Sequence, residues 1–213
     1  MIAVIDYKAG NLTSVGLALE KLGFRFRITR RPKDILDAER IIFPGVGAAG
    51  KAIQDLKEMG LDRVLRKAHE EAKPILGICL GAQIVLDKSE ENRAPCLGLI
   101  PGTVKRFPSP LLSKNRGERL KIPHMGWNGV TLVRRHPVMK GIGADDEFYF
   151  VHSYYPAPAL EQHVVGRTEY GMDFASILGA ANLIATQFPP EKSGTAGLRL
   201  LRNFCTWNGS HVE

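Results

Sequence analysis

Long uncharged runs are missing from this 213-residue chain: no stretch of about 18 apolar residues occurs, which argues against a helical membrane span. Cysteine is scarce as well. Cys79, Cys96 and Cys205 form an odd, unpatterned set, which excludes a disulfide framework and lacks the spacing of a zinc site. A reducing, cytoplasmic setting is expected, with no metal and no cofactor. Met1 to Asp6 form a short apolar strand without a basic leader or cleavage site, so no signal peptide is expected. Acidic residues number 22 against 29 basic ones, for a formal charge of +7. The basic residues are scattered in short pairs such as Arg30-Arg31 and Arg134-Arg135, with no interleaved aromatics, which argues against nucleic acid. A solvated surface, or attraction to anionic small molecules or an acidic partner, is the simpler reading. Repeats, low-complexity tracts and composition breaks are also absent, so residues 1–213 read as one domain.

What is present in the first half is an alternation of apolar strands and amphipathic helices. Strands are expected at Ile2–Asp6, Phe26–Thr29, Arg40–Phe43 and Ile75–Cys79, and helices at Asn11–Leu22, Ala48–Met59 and Leu61–Lys73. Gly60 is a stop signal between the last two. Strands apolar on both faces and separated by helices predict a parallel sheet covered on each side. From Gly98 to Phe188 the pattern becomes strand, turn, strand: Val104–Phe107, Val130–Val133, Phe148–His152, Val164–Tyr170, Phe174–Leu178 and Leu183–Phe188, with a long Pro108–Pro123 loop. Gly194–Asn203 reads as a closing helix packed by Leu198, Leu201 and Phe204. The expectation is a three-layer α/β fold with a central, mostly parallel sheet and an antiparallel elaboration.

Two glycine-bearing turns carry the chemistry. In Gly77-Ile78-Cys79-Leu80-Gly81 a cysteine stands where a strand turns into a helix, the arrangement that lifts a serine above the sheet in G-x-S-x-G hydrolases. There the glycines permit a sharp turn, the helix start favours thiolate, and backbone N–H groups beyond the cysteine, beginning at Leu80, can hold an oxyanion. A buried structural cysteine is the plainer alternative. Pro44-Gly45-Val46-Gly47 follows the neighbouring strand and reaches the same edge, where open α/β sheets bind ligands, so Gly47 is a second candidate oxyanion donor.

Further motifs run along the chain: "IDYKAGNLTSV" at the start, "FPGVGA", "GICLGAQ", "PHMGWN" at Pro123–Asn128, "FYFVHSYY" at Phe148–Tyr155, "TQFPPEKSG" at Thr186–Gly194 and "GLRLLRNF". Through these the chain resembles, end to end, the glutaminase subunits of imidazole glycerol phosphate synthase, a family of class I, triad-type glutamine amidotransferases of histidine biosynthesis. The resemblance implies a flavodoxin-like class I amidotransferase fold. It also implies that Cys79 attacks the side-chain amide of glutamine, that Gly47 helps form the oxyanion hole, and that Gln83, Ser153 and Tyr154 hold the substrate. Ammonia would pass to a separate (βα)8-barrel cyclase subunit, with Trp127 and Lys192 near that partner and Tyr149 near the ammonia exit.

One element of the family's pattern is missing. In F-H-P-E-K-S the histidine two residues before the glutamate is the base; here the segment is Phe188-Pro189-Pro190-Glu191-Lys192-Ser193. Glu191 is present, but Pro189 holds the histidine's place, and proline can neither take a thiol proton nor protonate ammonia. His69, in "RKAHEEAK", is expected to be solvated. His136 falls in a turn, His163 at the start of a surface strand, and His211 in a polar tail. His124 and His152 belong to family motifs rather than to the base. The open alternatives are a glutaminase subunit altered at 189, a pseudo-glutaminase that supports the cyclase without using glutamine, and a cysteine hydrolase of similar fold.

Overall fold

A computed structural model of the chain describes residues 1–8, 11–115 and 117–210; His211 lies outside the described residues. The first half runs β1 (Ile2–Ile5), α1 (Leu12–Lys21), β2 (Phe26–Thr29), α2 (Pro32–Asp37), β3 (Arg40–Gly45), α3 (Ala49–Glu58), α4 (Leu61–Glu70), β4 (Ile75–Cys79) and α5 (Leu80–Ile84). Short strands follow: β5 (Lys88–Ser89), β6 (Ala94–Pro95), β7 (Gly102–Arg106), β8 (Leu111–Leu112), β9 (Arg119–Leu120), β10 (His124–Gly129) and β11 (Thr131–Leu132). Next come β12 (Glu147–His152), β13 (Tyr154–Pro158), β14 (Val164–Glu169), β15 (Asp173–Ala180) and β16 (Leu183–Thr186), before α6 (Gly194–Thr206).

The main sheet has eight strands in the order β11-β14-β15-β16-β4-β3-β1-β2. Its β16, β4, β3, β1 and β2 are parallel, and β15, β14 and β11 extend it antiparallel. Strand alternation sends Ala3, Ile5, Ile41, Phe43 and Ile75 to one face, packed with Ile35 of α2, Leu56 of α3 and Leu65 of α4. Ile2, Val4, Ile42, Leu76 and Ile78 go to the other face, against Val15 and Leu19 of α1 and Leu200, Leu201 and Phe204 of α6. Three layers result, as the apolar runs require.

Four local expectations change. Pro32–Asp37 is a helix, started by Pro32 at its first turn with Asp34 beside it, although its six residues are too few to show a period. The strand expected at Val130–Val133 is the short β11, and a longer strand not singled out from the sequence, β10, precedes it, where His124–Gly129 pairs along its whole length with β12. Part of the Pro108–Pro123 loop is a small hairpin, β8 with β9. The helix expected to reach Lys73 stops at Glu70, with Ala72 turned to φ +56°.

Register brings the site together. β4 lies between β3 and β16, with Gly45 opposite Cys79 and Ile78 opposite both Pro44 and Thr186. The turns after all three strands therefore leave the sheet at one carboxyl edge.

Candidate active site

Cys79 itself takes the strained backbone of the elbow, at φ 55° and ψ −108°. The glycines around it serve close packing rather than the turn. A Cβ on Gly81 would run into the Phe43 carbonyl oxygen, and one on Gly77 would sit 3.1 Å from the Gly81 backbone. A Cβ on Gly45 would meet the Tyr7 hydroxyl and, at 2.9 Å, the Leu80 Cβ. Strand, cysteine and helix are pressed together by these small residues. Gly47 differs: its φ of +91° is what demands glycine there.

The expected thiolate bias is reversed. The Leu80 N–H donates to the sulfur and Lys192 favours the anion, but burial, the largest effect, and the Glu191 carboxylate push the Cys79 thiol up to about 11. α5 has only five residues, so its dipole is too small to offset desolvation.

Gly47, Cys79, Leu80, Gln83, Ser153 and Tyr154 all line one cavity of about 400 Å³. The Gln83 amide donates to the Tyr154 carbonyl and to Gln187 Oε1, both at 3.0 Å, tying α5 to β13 and to the turn after β16. Two residues that the sequence did not single out also belong here. Gln187 places its Nε2 4.0 Å from the Cys79 sulfur. Glu91 lines the cavity while its Oε2 accepts from Ala49 N at 2.7 Å. Gln187 stands in the "TQF" run beside the missing histidine, whereas nothing in "EENR" distinguishes Glu91.

His152 reaches the cavity, but its nitrogens are committed. Asn128 Nδ2 donates to the Glu169 carbonyl at 2.9 Å and faces His124 Nε2 at 3.3 Å, which leaves the proton of His124 on Nδ1. Nδ1 then faces His152 Nε2 at 3.0 Å, and His152 Nδ1 donates to the Tyr154 carbonyl at 2.8 Å. Burial pushes His124 down to about 4 and His152 down to about 3, so both imidazoles are neutral. His69 is half-buried rather than solvated, with its pKa lowered by burial. His136 is buried and accepts from Val138 N, capping a 3₁₀ turn. His163 ends another such turn instead of opening a strand.

Pro189 is buried at φ −76°, following Phe188, whose ring stacks on Phe148 at 4.1 Å. Its carbonyl accepts from Ser193 Oγ at 2.8 Å, and Ser193 Oγ accepts from Tyr149 N at 3.1 Å. Glu191 follows on a 3₁₀ turn, Pro190–Lys192, with its carboxyl raised to about 7 by burial. Its Oε2 is buried without a hydrogen-bond partner. Trp127, 53% exposed, stands opposite Tyr149 with ring centroids 6.0 Å apart, and its edge lies close to Gly194, two residues beyond exposed Lys192. Among the described residues no three His, Cys, Asp or Glu converge to hold a metal ion, and no helix is long and apolar enough to cross a membrane.

A nucleophile elbow on a sheet of this topology is the framework of the glutamine amidotransferases, and the family model for class I glutamine amidotransferases matches residues 3–207. The chain belongs to that family. Within it, the chain is similar to the imidazole glycerol phosphate synthase subunit HisH of Nitratidesulfovibrio vulgaris, strain DP4, with 50% identity over 96% of this chain and 95% of that protein. HisH of Nitrosococcus oceani is 48% identical, covering 98% of each. A crystal structure of a glutamine amidotransferase superposes with a TM-score of 0.72 at 20% identity, over 96% of this chain and 97% of the other.

Proposed function

We propose that this chain is the glutaminase subunit of an imidazole glycerol phosphate synthase, acting in the cytoplasm as a single domain and delivering ammonia to a (βα)8-barrel cyclase. The observation that carries the reading is the convergence of a strained Cys79 with Gly47, Leu80, Gln83, Ser153 and Tyr154 on one cavity. In this reading Cys79 adds to the side-chain amide of glutamine, and the Leu80 N–H with the Gly47 turn holds the oxyanion. Ammonia leaves behind a thioester that water clears. The Glu91 carboxylate at the cavity suits the substrate's α-ammonium. Exposed Trp127 and Lys192 and half-buried Tyr149 supply an anchor of the composition found at interface hot spots, with the ammonia exit at Tyr149. The free state of all three cysteines fits the cytoplasmic setting.

Pro189 favours the second reading, a partner that binds the cyclase without using glutamine. One experiment separates them. The complex with a cognate cyclase is expected to make product from ammonium, and Pro189→His is expected to raise glutamine-dependent turnover by about 10² to 10⁴, the worth of a general base. Light scattering that finds only separate species at tens of micromolar removes the cyclase partnership. A Pro189→His complex no more active on glutamine than Cys79→Ala removes the glutaminase reading.

A further inference from the structure

The two buried histidines of the β10–β12 ribbon move no proton, yet they are the middle of a hydrogen-bonded chain that runs in one direction only. Strand alternation puts His124 and Asn128 on one face of β10, and register sets His124 opposite His152 on β12. The backbone fixes both ends of the Asn128 amide. Its Oδ1 accepts from Gly129 N at 2.8 Å and its Nδ2 donates to the Glu169 carbonyl at 2.9 Å, so the amide cannot turn over. The other Nδ2 proton faces His124 Nε2 at 3.3 Å. His124 Nδ1 therefore carries the proton and donates to His152 Nε2 at 3.0 Å, and His152 Nδ1 donates to the Tyr154 carbonyl at 2.8 Å. From the Tyr154 end the order is the same. A carbonyl oxygen only accepts, so neutral His152 must present Nδ1–H, neutral His124 must do likewise, and the last partner must be a donor. Burial keeps both rings neutral.

The far end of this chain is in the cavity. His152, Tyr154 and Gln83 line it, whereas Asn128 and His124 do not. The Tyr154 carbonyl has two lone pairs: His152 Nδ1 fills one, and Gln83 Nε2, at 3.0 Å, fills the other. The second Gln83 Nε2 proton goes to Gln187 Oε1 at 3.0 Å, and Gln187 Nε2 stands 4.0 Å from the Cys79 sulfur. With both N–H bonds committed, Gln83 has only its Oε1 left for a ligand. In the opposite tautomer His152 would turn a lone pair on the Tyr154 carbonyl. The carbonyl would be pushed aside, and the Gln83 amide that donates to it would lose its anchor.

We propose that Asn128 is a positioning residue for glutamine: from outside the cavity it sets the tautomers of His124 and His152, and through them it holds the Tyr154 carbonyl and the Gln83 amide in place. The proposal rests on the glutaminase reading above. Asparagine meets the requirement because it donates twice and accepts once at the same point. An ionised aspartate would present only acceptors to His124 Nε2 and the Glu169 carbonyl. A leucine of similar size would leave Nε2 without a donor and the tautomers unset.

The test uses the full chain with its cyclase. The original form has no base at 189, so L-glutamine binds without rapid turnover and calorimetry gives its Kd, while the Pro189→His form gives kcat and KM. We expect Asn128→Ala, and Asn128→Leu as a second variant of nearly native size, to raise Kd and KM about tenfold, the worth of one buried hydrogen bond, with kcat within about twofold. Nitrogen NMR of the imidazoles should show His124 and His152 both protonated at Nδ1 in the original chain, and a share of Nε2–H once Asn128 is replaced. His152→Asn puts an amide Nδ2 where Nδ1 stood, a donor to the Tyr154 carbonyl whatever lies upstream. In that background Asn128→Ala should add less than about twofold, whereas a packing defect would cost the same in either background. Unchanged Kd and KM in the Asn128 variants, equal losses in both backgrounds, or an Nε2–H tautomer in the original chain overturns the proposal and leaves the glutaminase reading standing. An original chain that binds no glutamine, together with a Pro189→His form that does not turn it over, removes that reading and this proposal with it.

Discussion

Cys79 and Glu191 each carry a cost that packing elsewhere sustains. A non-glycine residue at φ 55° and ψ −108° costs about 1–3 kcal/mol, and the elbow holds it there between Gly77, Gly81 and Gly45. Glu191 adds a pH-dependent cost. Its folded carboxyl at about 7 lies above the ordinary 4.5, so the folded state binds the proton more tightly than the unfolded chain does. The penalty for ionisation is absent below about pH 4.5, grows between 4.5 and 7, and is complete above 7. The interval corresponds to about 3 kcal/mol, an upper figure for a side chain that is not wholly buried. Glu191→Gln should therefore stabilise the chain by about 1–3 kcal/mol at pH 8 and give no such gain at pH 4, as thermal melts at the two pH values can measure. Equal effects at both values would show that the carboxyl is not raised. The buried histidines act in the opposite sense. The unfolded chain takes up their protons near 6.5 while the folded one resists down to about 4 and about 3, so the stability they contribute is lost as pH falls below 6.5.

Between residue and fold stands the β10–β12 ribbon, whose two faces do different work. His124, Phe148, Phe150 and His152 point inward, where His124 stacks on Phe150 at 4.8 Å and on Tyr170 at 4.0 Å. Met125, Trp127, Tyr149 and Val151 share the outward face, with Met125 opposite Val151 and Trp127 opposite Tyr149. A tryptophan this exposed adds little to the fold, so Trp127→Ala should leave the unfolding free energy within about 0.5 kcal/mol. Affinity for the proposed cyclase partner should fall by about 30-fold or more, as calorimetry would register. An unfolded variant, or an unchanged Kd, would move the interface elsewhere. The strand-to-helix turn at Gly81 gives the reverse case. Its Cβ would strike a backbone oxygen of β3, which cannot step aside, so Gly81→Ala should cost about 3 kcal/mol or more and lower Cys79-dependent turnover with it. Denaturant midpoints that match the original chain would contradict this packing.

At the scale of the whole molecule, the site is a product of strand order. Cys79 ends β4, Gly47 lies two residues beyond β3 and Glu191 five residues beyond β16, and these three strands are neighbours although β16 is more than 100 residues from β4 in sequence. The end of β12 and the start of β13 reach the same cavity, adding His152, Ser153 and Tyr154 to it. Elements such as β1, α1, β3 and β4 are plain in the chain itself, because burial on both faces or on one stripe leaves a pattern that local chemistry can read. The two-residue strands and the short helix α2 are not, since their length is below any period, and β10 is not, since its pairing partner is remote.

The sequence by itself determined the α/β layering, the elbow at Cys79, the loop at Gly47 and the loss of the histidine at Pro189, because each depends on residue type and close neighbours. Only the tertiary structure decided the protonation chemistry. Burial raised the Cys79 thiol against the helix-start effect, neutral His124 and His152 were locked in one hydrogen-bonded chain, and the Glu191 oxygen was left without a partner. Desolvation is a property of everything packed around a group, and no spacing along the chain records it.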